Sequence, residues 1–123
     1  MNDQKPFHHD LAGLVRFQID DDALGKLPWK DFGNGVRVAK LAREGQTGLV
    51  VYDIAADARS EAFQAHKHVG GEAYLVLRGA IEDASGRYGE GEIVWMPVDS
   101  THTPRGVGRT VVLVLWPGGI AAA

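Results

Sequence analysis

Short runs of Val, Ile, Leu, Tyr and Trp alternate along the chain with Gly, Pro and polar turn residues, a punctuation that predicts strands. The clearest are Val36–Leu41, Gly48–Ile54, Ala73–Leu77, Ile93–Met96 and Thr110–Trp116. Each has the length of an ordinary strand and is too short for a helix with a defined apolar face, and no amphipathic helix of normal length is expected. Asp83-Ala84-Ser85-Gly86, Tyr88-Gly89-Glu90-Gly91 and Pro97-Val98-Asp99-Ser100 carry turn chemistry between them. Many short strands joined by tight turns predict an all-β sandwich or barrel. Leu14 to Ile19 has a strand-like pattern but runs into Asp20-Asp21-Asp22, so residues 1–26 are read as a separate N-terminal segment, an edge strand or dimer arm. Residues 27–117 then form the barrel. The small residues 118–123 are expected to fray as a flexible tail.

The length of 123 residues fits one domain, and a chain of this size hides roughly two-thirds of its unfolded surface, enough for a real core. Thirteen Lys and Arg against 16 Asp and Glu give a net charge of −3, which provides no basic field for a phosphate backbone and excludes nucleic acid as a natural partner. The absence of cysteine removes disulfides, thiolate metal sites, iron–sulfur clusters and a cysteine nucleophile, and fits a reducing compartment. The first ten residues lack the apolar stretch of a secretory signal, and the longest apolar run, Val111 to Trp116, is far too short to span a membrane. These features predict a cytoplasmic protein with no membrane partner.

The stretch that carries chemistry is Ala65-His66-Lys67-His68-Val69-Gly70-Gly71-Glu72-Ala73-Tyr74. On a strand, His66 and His68 share a face and Lys67 takes the other. A helix would align His68 with Glu72, but Gly70-Gly71 makes a helix improbable; the glycines instead bend the chain, after which Glu72, Tyr74 and Val76 line one face. Two imidazoles and a carboxylate thus converge. Downstream, Gly91-x5-Pro97 ends a strand at a corner, and His102 follows from a second strand pair as a fourth candidate ligand.

These spacings, H-x-H-x3-E-x6-G in His66, His68, Glu72 and Gly79 and G-x5-P-x4-H in Gly91, Pro97 and His102, resemble the two motifs of the cupin superfamily. The wording Gly70-Gly71-Glu72, Gly86-Arg87-Tyr88 and His102-Thr103-Pro104 is most similar to the cupin domain of ChrR-type anti-sigma factors and to acetylacetone-dioxygenase-like cupins, over about residues 27 to 116. The resemblance implies a double-stranded β-helix, a small jelly-roll barrel, holding one divalent metal on His66, His68, Glu72 and His102, with a homodimer as the expected assembly. Three departures stand out: Gln64-Ala65 in place of a frequent proline, a longer connection from Ala56 to Phe63, and Asp99 in place of a common glycine. Asp tolerates the left-handed conformation such a corner needs. The longer connection is expected to reshape the barrel mouth.

His8 and His9 read as terminal surface residues. Tyr74 and Trp95 are the candidate substrate-pocket residues, Tyr74 because it shares parity with Glu72; Arg78 lies on a neighbouring strand and Arg105 near the expected entrance. Trp29 and Trp116 read as structural. Three neutral imidazoles and one carboxylate leave a divalent ion with a net charge of about +1 and, if it is octahedral, two open positions, which suit a bidentate enolate and dioxygen. The leading expectation is therefore a metalloenzyme of the dioxygenase type, using Fe(II) on a diketone-like small molecule. The alternatives are a Zn-binding sensor or ligand-binding module without catalysis, and a metal-dependent isomerase or lyase, since one barrel serves several chemistries. Mn and Ni suit the same donors. In the anti-sigma relatives the partner-binding part is a separate cysteine-containing domain, for which these residues offer no counterpart, so an anti-sigma role for this chain alone is not expected.

Overall fold

A computed structural model describes residues 9–58 and 63–123. The valine-rich run near the C-terminus forms the central strand, and the rest of the barrel is organised around it. In chain order the strands are β1 (His9–Asp10), β2 (Trp29–Gly33), β3 (Val36–Glu44), β4 (Thr47–Ile54), β5 (His66–His68), β6 (Glu72–Asp83), β7 (Gly86–Gly89), β8 (Ile93–Met96), β9 (Thr101–His102), β10 (Arg105–Trp116) and β11 (Ile120–Ala122), with one helix, α1 (Asp21–Gly25). The larger sheet runs β1-β3-β4-β10-β6-β7, with β2 added to β3 and β8 added to β6; the smaller runs β11-β5-β9. This is the jelly-roll barrel anticipated from the motifs, and its two sheets contribute side chains to one internal cavity.

β10 lies between β4 and β6, so that Val112 stands opposite Tyr52 on one side and Val76 on the other, and Val114 opposite Val50 and Tyr74. These residues, with Val36, Val38 and Ile54, form the inner core. The opposite parity, Val51 and Val111, joins Ala39 and Leu41 in a second cluster covered by Phe17, Leu24, Leu27 and Trp29. A sheet buried on both faces needs apolar residues at consecutive positions, which is why β4 and β10 read as continuous runs.

Part of the N-terminal segment supplies the cover over the outer face, and its β1 pairs with β3 at the sheet edge. Residues 14–19 form no strand: Leu14 is fully solvated, while Phe17 packs on the outer cluster. The acidic triplet that breaks the strand pattern is a helix start. Asp20 caps α1, its side chain accepting from the Ala23 amide at 2.8 Å, and Asp21 and Asp22 sit in the first turn where the helix dipole favours negative charge. In the C-terminal tail, Ile120 pairs with His68 and Ala122 with His66. Gly118 and Gly119 have φ of 76° and 84°, and a Cβ at Gly119 would come within 2.8 Å of the Gln46 carbonyl oxygen, so the reversal that returns β11 to β5 requires glycine. Among the described residues, no helix is long and apolar enough to cross a membrane.

Candidate metal centre

Strand parity places the histidines. His66 and His68 share one face of β5, and Lys67 points to the other, where its ammonium lies 3.8 Å from Asp99. β9 pairs with β5 so that His102 stands directly opposite His66. The Pro97–Ser100 corner grips the same strand, since the Asp99 amide donates to the His68 carbonyl at 2.7 Å and the His68 amide to the Ser100 carbonyl at 2.9 Å. Asp99 takes a φ of 64°, the left-handed conformation that aspartate tolerates. Between His68 and Glu72 the chain turns at the glycine pair. A Cβ at Gly70 would lie 2.0 Å from the Pro117 carbonyl oxygen, and Gly71 has a φ of 87°, so neither position admits another residue without displacing its surroundings. Glu72 then opens β6 opposite Met96.

The three imidazole rings meet edge to face with centroids 4.5–4.9 Å apart. One donor atom from each of His66, His68, Glu72 and His102 lies within 4.8 Å of the others. The Nε2 atoms of His66 and His102 are 2.9 Å apart, and Glu72 Oε1 is 3.5 Å from His68 Nε2 and 3.7 Å from His102 Nε2. Each residue is held from behind. His66 Nδ1 bonds the Gln64 carbonyl at 3.0 Å, His68 Nδ1 the Ser100 hydroxyl at 2.9 Å and His102 Nδ1 the Asp83 carboxylate at 2.8 Å, while Trp116 Nε1 donates to Glu72 Oε2 at 3.0 Å. An Nδ1 occupied in this way directs the Nε2 lone pair toward the centre.

Burial shapes the charges. It lowers His66, and with the neighbouring imidazoles it lowers His68 to about 4, so both rings are neutral at physiological pH. Burial raises the Glu72 carboxyl to about 7 against the opposing pull of the Trp116 hydrogen bond. For Asp83, burial pushes upward, but hydrogen bonds from Ser85 and His102 outweigh it and keep the carboxyl below its ordinary value. A divalent cation fits this donor set. His68 Nε2 is buried and has no hydrogen-bond partner in the protein, and adjacent donors on an ion with bonds of about 2.1 Å stand roughly 3 Å apart, close to the 2.9 Å between the His66 and His102 nitrogens.

His66, Glu72 and His102 stand on the wall of a cavity of about 690 Å³. Tyr74 also lines it, buried, with a hydroxyl that has no partner in the protein. Trp95 does not. It is 56% exposed, because register pairs Tyr74 with Val94, so Tyr74 and Trp95 point to opposite faces of the sheet. Arg78 pairs with Asp21, and Arg105 with Glu82; neither lies on the cavity wall. His9 is exposed on β1 with its ring 5.3 Å from Phe17, and His8 lies outside the described residues, as does part of the Ala56–Phe63 connection. Asp83, Ser100 and Trp116 were not anticipated as partners of the donor set. Trp116, which reads as structural from sequence, reaches Glu72 because β10 and β6 are paired neighbours, with Leu115 opposite Ala73, and both residues face the cavity.

A jelly-roll barrel with three histidines and one glutamate supplied by two spaced motifs is a cupin. The chain belongs to the ChrR cupin-like domain family, whose model matches residues 22–120. It is 36% identical over 94 residues to the anti-sigma-E factor ChrR of Cereibacter sphaeroides, covering 76% of this chain but 40% of that protein. The chain thus spans about two fifths of the length of this curated relative. Among solved structures, it is similar to the Rhodobacter sphaeroides complex of SigE with the anti-sigma factor ChrR, with TM-score 0.62 and 29% identity over 76% of this chain and 50% of that one. It also shares its fold with the acetylacetone dioxygenase of Acinetobacter johnsonii, with TM-score 0.68 and 13% identity over 85% of this chain and 74% of that one.

Proposed function

We propose that this chain is a metal-dependent enzyme of the dioxygenase type that cleaves a carbon–carbon bond in a small dicarbonyl compound. The observation that carries this reading is the placement of His66, Glu72 and His102 on the wall of a 690 Å³ cavity. A structural metal site is closed by its ligands, whereas a catalytic one leaves room for a reactant. His66, His68, Glu72 and His102 would hold the ion. When bound, it supplies Lewis acidity and, as iron, the coupling to dioxygen. Three neutral imidazoles and one carboxylate leave about +1 on a divalent ion, a charge that an enolate neutralises.

The remaining tasks fall to the chain's own groups. Gln64, Ser100, Asp83 and Trp116 keep the four ligands aimed. Val112, Val114 and Ile54 give the cavity an apolar wall that displaces water from a bound molecule. Burial, reinforced by nearby acidic groups, raises the Tyr74 phenol, so its hydroxyl keeps its proton and donates to a substrate oxygen. Overall, a 1,3-dicarbonyl and dioxygen give a carboxylic acid and a 2-oxo carbonyl compound: one carbon–carbon bond breaks and both oxygen atoms remain in the products.

The test is elemental analysis of untagged protein purified without oxygen, followed by oxygen-electrode assays with 1,3-diketones. Near-stoichiometric iron with oxygen uptake equal to diketone consumed supports the enzyme. Zinc that iron does not displace, with no oxygen uptake, overturns it in favour of a second reading. That reading is a zinc-bearing sensor module that reports ligand occupancy to a protein partner, and it is favoured by the 36% identity to an anti-sigma factor.

A further inference from the structure

One wall of the cavity is aromatic. Phe32, Tyr52 and Phe63 form a closed triangle with ring centroids 5.1–5.5 Å apart, and Trp116 extends it from Tyr52 at 6.4 Å. All four rings line the same cavity as His66 and Glu72. Core filling is the ordinary use of aromatics in a small barrel, but it predicts buried rings. Tyr52 fits that description, whereas Phe32 is 46% exposed and Phe63 is half-buried. These two rings therefore present apolar surface to the open space of the cavity. Burial, with a contribution from Glu72, raises the Tyr52 phenol, which keeps this wall uncharged.

Size points the same way. A five-carbon diketone occupies on the order of 100 Å³, while the cavity holds about 690 Å³, within the range of sites for much larger ligands. A small aliphatic diketone seated at His66, Glu72 and His102 would leave the aromatic wall bare. An aryl group joined to the same chelating head would meet Phe32, Tyr52 and Phe63, of which Tyr52 already meets both phenylalanines edge to face.

We infer that the cavity selects an aryl-bearing dicarbonyl compound, its oxygens at the histidine–glutamate centre and its ring against Phe32, Tyr52 and Phe63. This inference rests on the metalloenzyme reading for its oxygen-donor head and on the aromatic wall alone for its ring. The experiment is calorimetric titration of the zinc-loaded protein with acetylacetone and with benzoylacetone, in the wild type, Phe32→Ala and Phe63→Ala, with metal content and circular dichroism confirming that each variant is folded. Benzoylacetone is expected to bind at least tenfold more tightly than acetylacetone, and the ratio of the two Kd values is expected to fall below three in both variants. Equal affinities in the wild type, or a ratio unchanged by both substitutions, overturn the inference. Benzyl alcohol, which carries the ring without the chelating head, separates the two readings by saturation-transfer NMR. If neither diketone binds but benzyl alcohol gives a signal that Phe63→Ala removes, the ring site stands and the dicarbonyl head fails. If benzyl alcohol gives no signal, the ring site fails.

Discussion

The Nε2 atoms of His66 and His102 face each other across 2.9 Å, while Nδ1 of each ring is engaged behind, with the Gln64 carbonyl at 3.0 Å and the Asp83 carboxylate at 2.8 Å. With the Nδ1 protons directed at those oxygens, two nitrogen lone pairs confront one another. A cation between them converts that repulsion into coordination, and Glu72 Oε1 and His68 Nε2 approach the same point.

Removal of a residue that would hold the ion should therefore abolish metal binding and the contribution that binding makes to folding. His66→Ala and Glu72→Ala are expected to lose stoichiometric metal. An ion present at a hundred times its Kd stabilises by about 2.7 kcal/mol, so each variant should melt roughly 10 °C below the metal-loaded wild type. A chelator should bring the wild type down to the same range. Inductively coupled plasma analysis and calorimetry check both points, and normal metal content in the variants would overturn the site.

Asp83 acts through His102. The carboxylate fixes the ring's tautomer and orientation without standing among the donors, so Asp83→Asn is expected to weaken metal affinity 10- to 100-fold while leaving the barrel intact. Competition with a chromophoric chelator measures the change, and far-ultraviolet circular dichroism verifies the fold.

Much of this arrangement was visible in the chain because it obeys local periodicity. The His-x-His spacing, the bend at Gly70-Gly71 and the apolar runs of β4 and β10 each depend on parity or on burial of both sheet faces. What escaped depends on long-range pairing. Asp83 meets His102 because β10, which follows β9, pairs with β6 so that Arg105 stands opposite Glu82, and Trp116 reaches Glu72 across 44 positions of chain. Parity within β8 does not reveal which of its faces meets the cavity, and Trp95 lies exposed on the face opposite Tyr74. The five-residue α1 is too short for a helical repeat, and β11 is held by backbone pairing that leaves no pattern in Ile-Ala-Ala.

Gly79, the last residue of the first motif, serves the fold and touches no ligand. Its φ is 73°, and a Cβ there would stand 2.2 Å from the Arg109 carbonyl oxygen and 2.7 Å from Thr110 Oγ1. Gly79→Ala thus combines backbone strain with a clash against the neighbouring strand. A loss of more than about 2 kcal/mol is expected in urea denaturation.

Asp53 links stability to acid. Burial pushes its carboxyl up, but hydrogen bonds from Arg109 and Arg37, the closest at 2.8 Å, prevail and hold it below the ordinary aspartate value. A carboxyl depressed in the folded state contributes its full stabilisation above the unfolded value of about 3.9 and loses it as pH falls through the folded value. In metal-free protein, the difference in unfolding free energy between wild type and Asp53→Asn should hold at roughly 1–3 kcal/mol from pH 5 to 8 and shrink below pH 4. Urea titrations across that range decide it. A difference that grows in acid would contradict the assignment.

Tyr74 separates a binding role from a structural one. Its buried hydroxyl has no partner in the protein, so Tyr74→Phe removes a polar group that burial penalises and is expected to leave stability unchanged or raise it by up to about 1 kcal/mol. A hydroxyl that the fold itself used would instead be missed, and the variant would melt lower. If the group serves a molecule in the cavity, the loss appears in binding: a dicarbonyl probe should bind the metal-loaded variant five- to tenfold more weakly, the worth of about one hydrogen bond. Calorimetric melting and titration on the same preparation give both numbers. Lower stability with unchanged probe affinity would assign the hydroxyl to the fold.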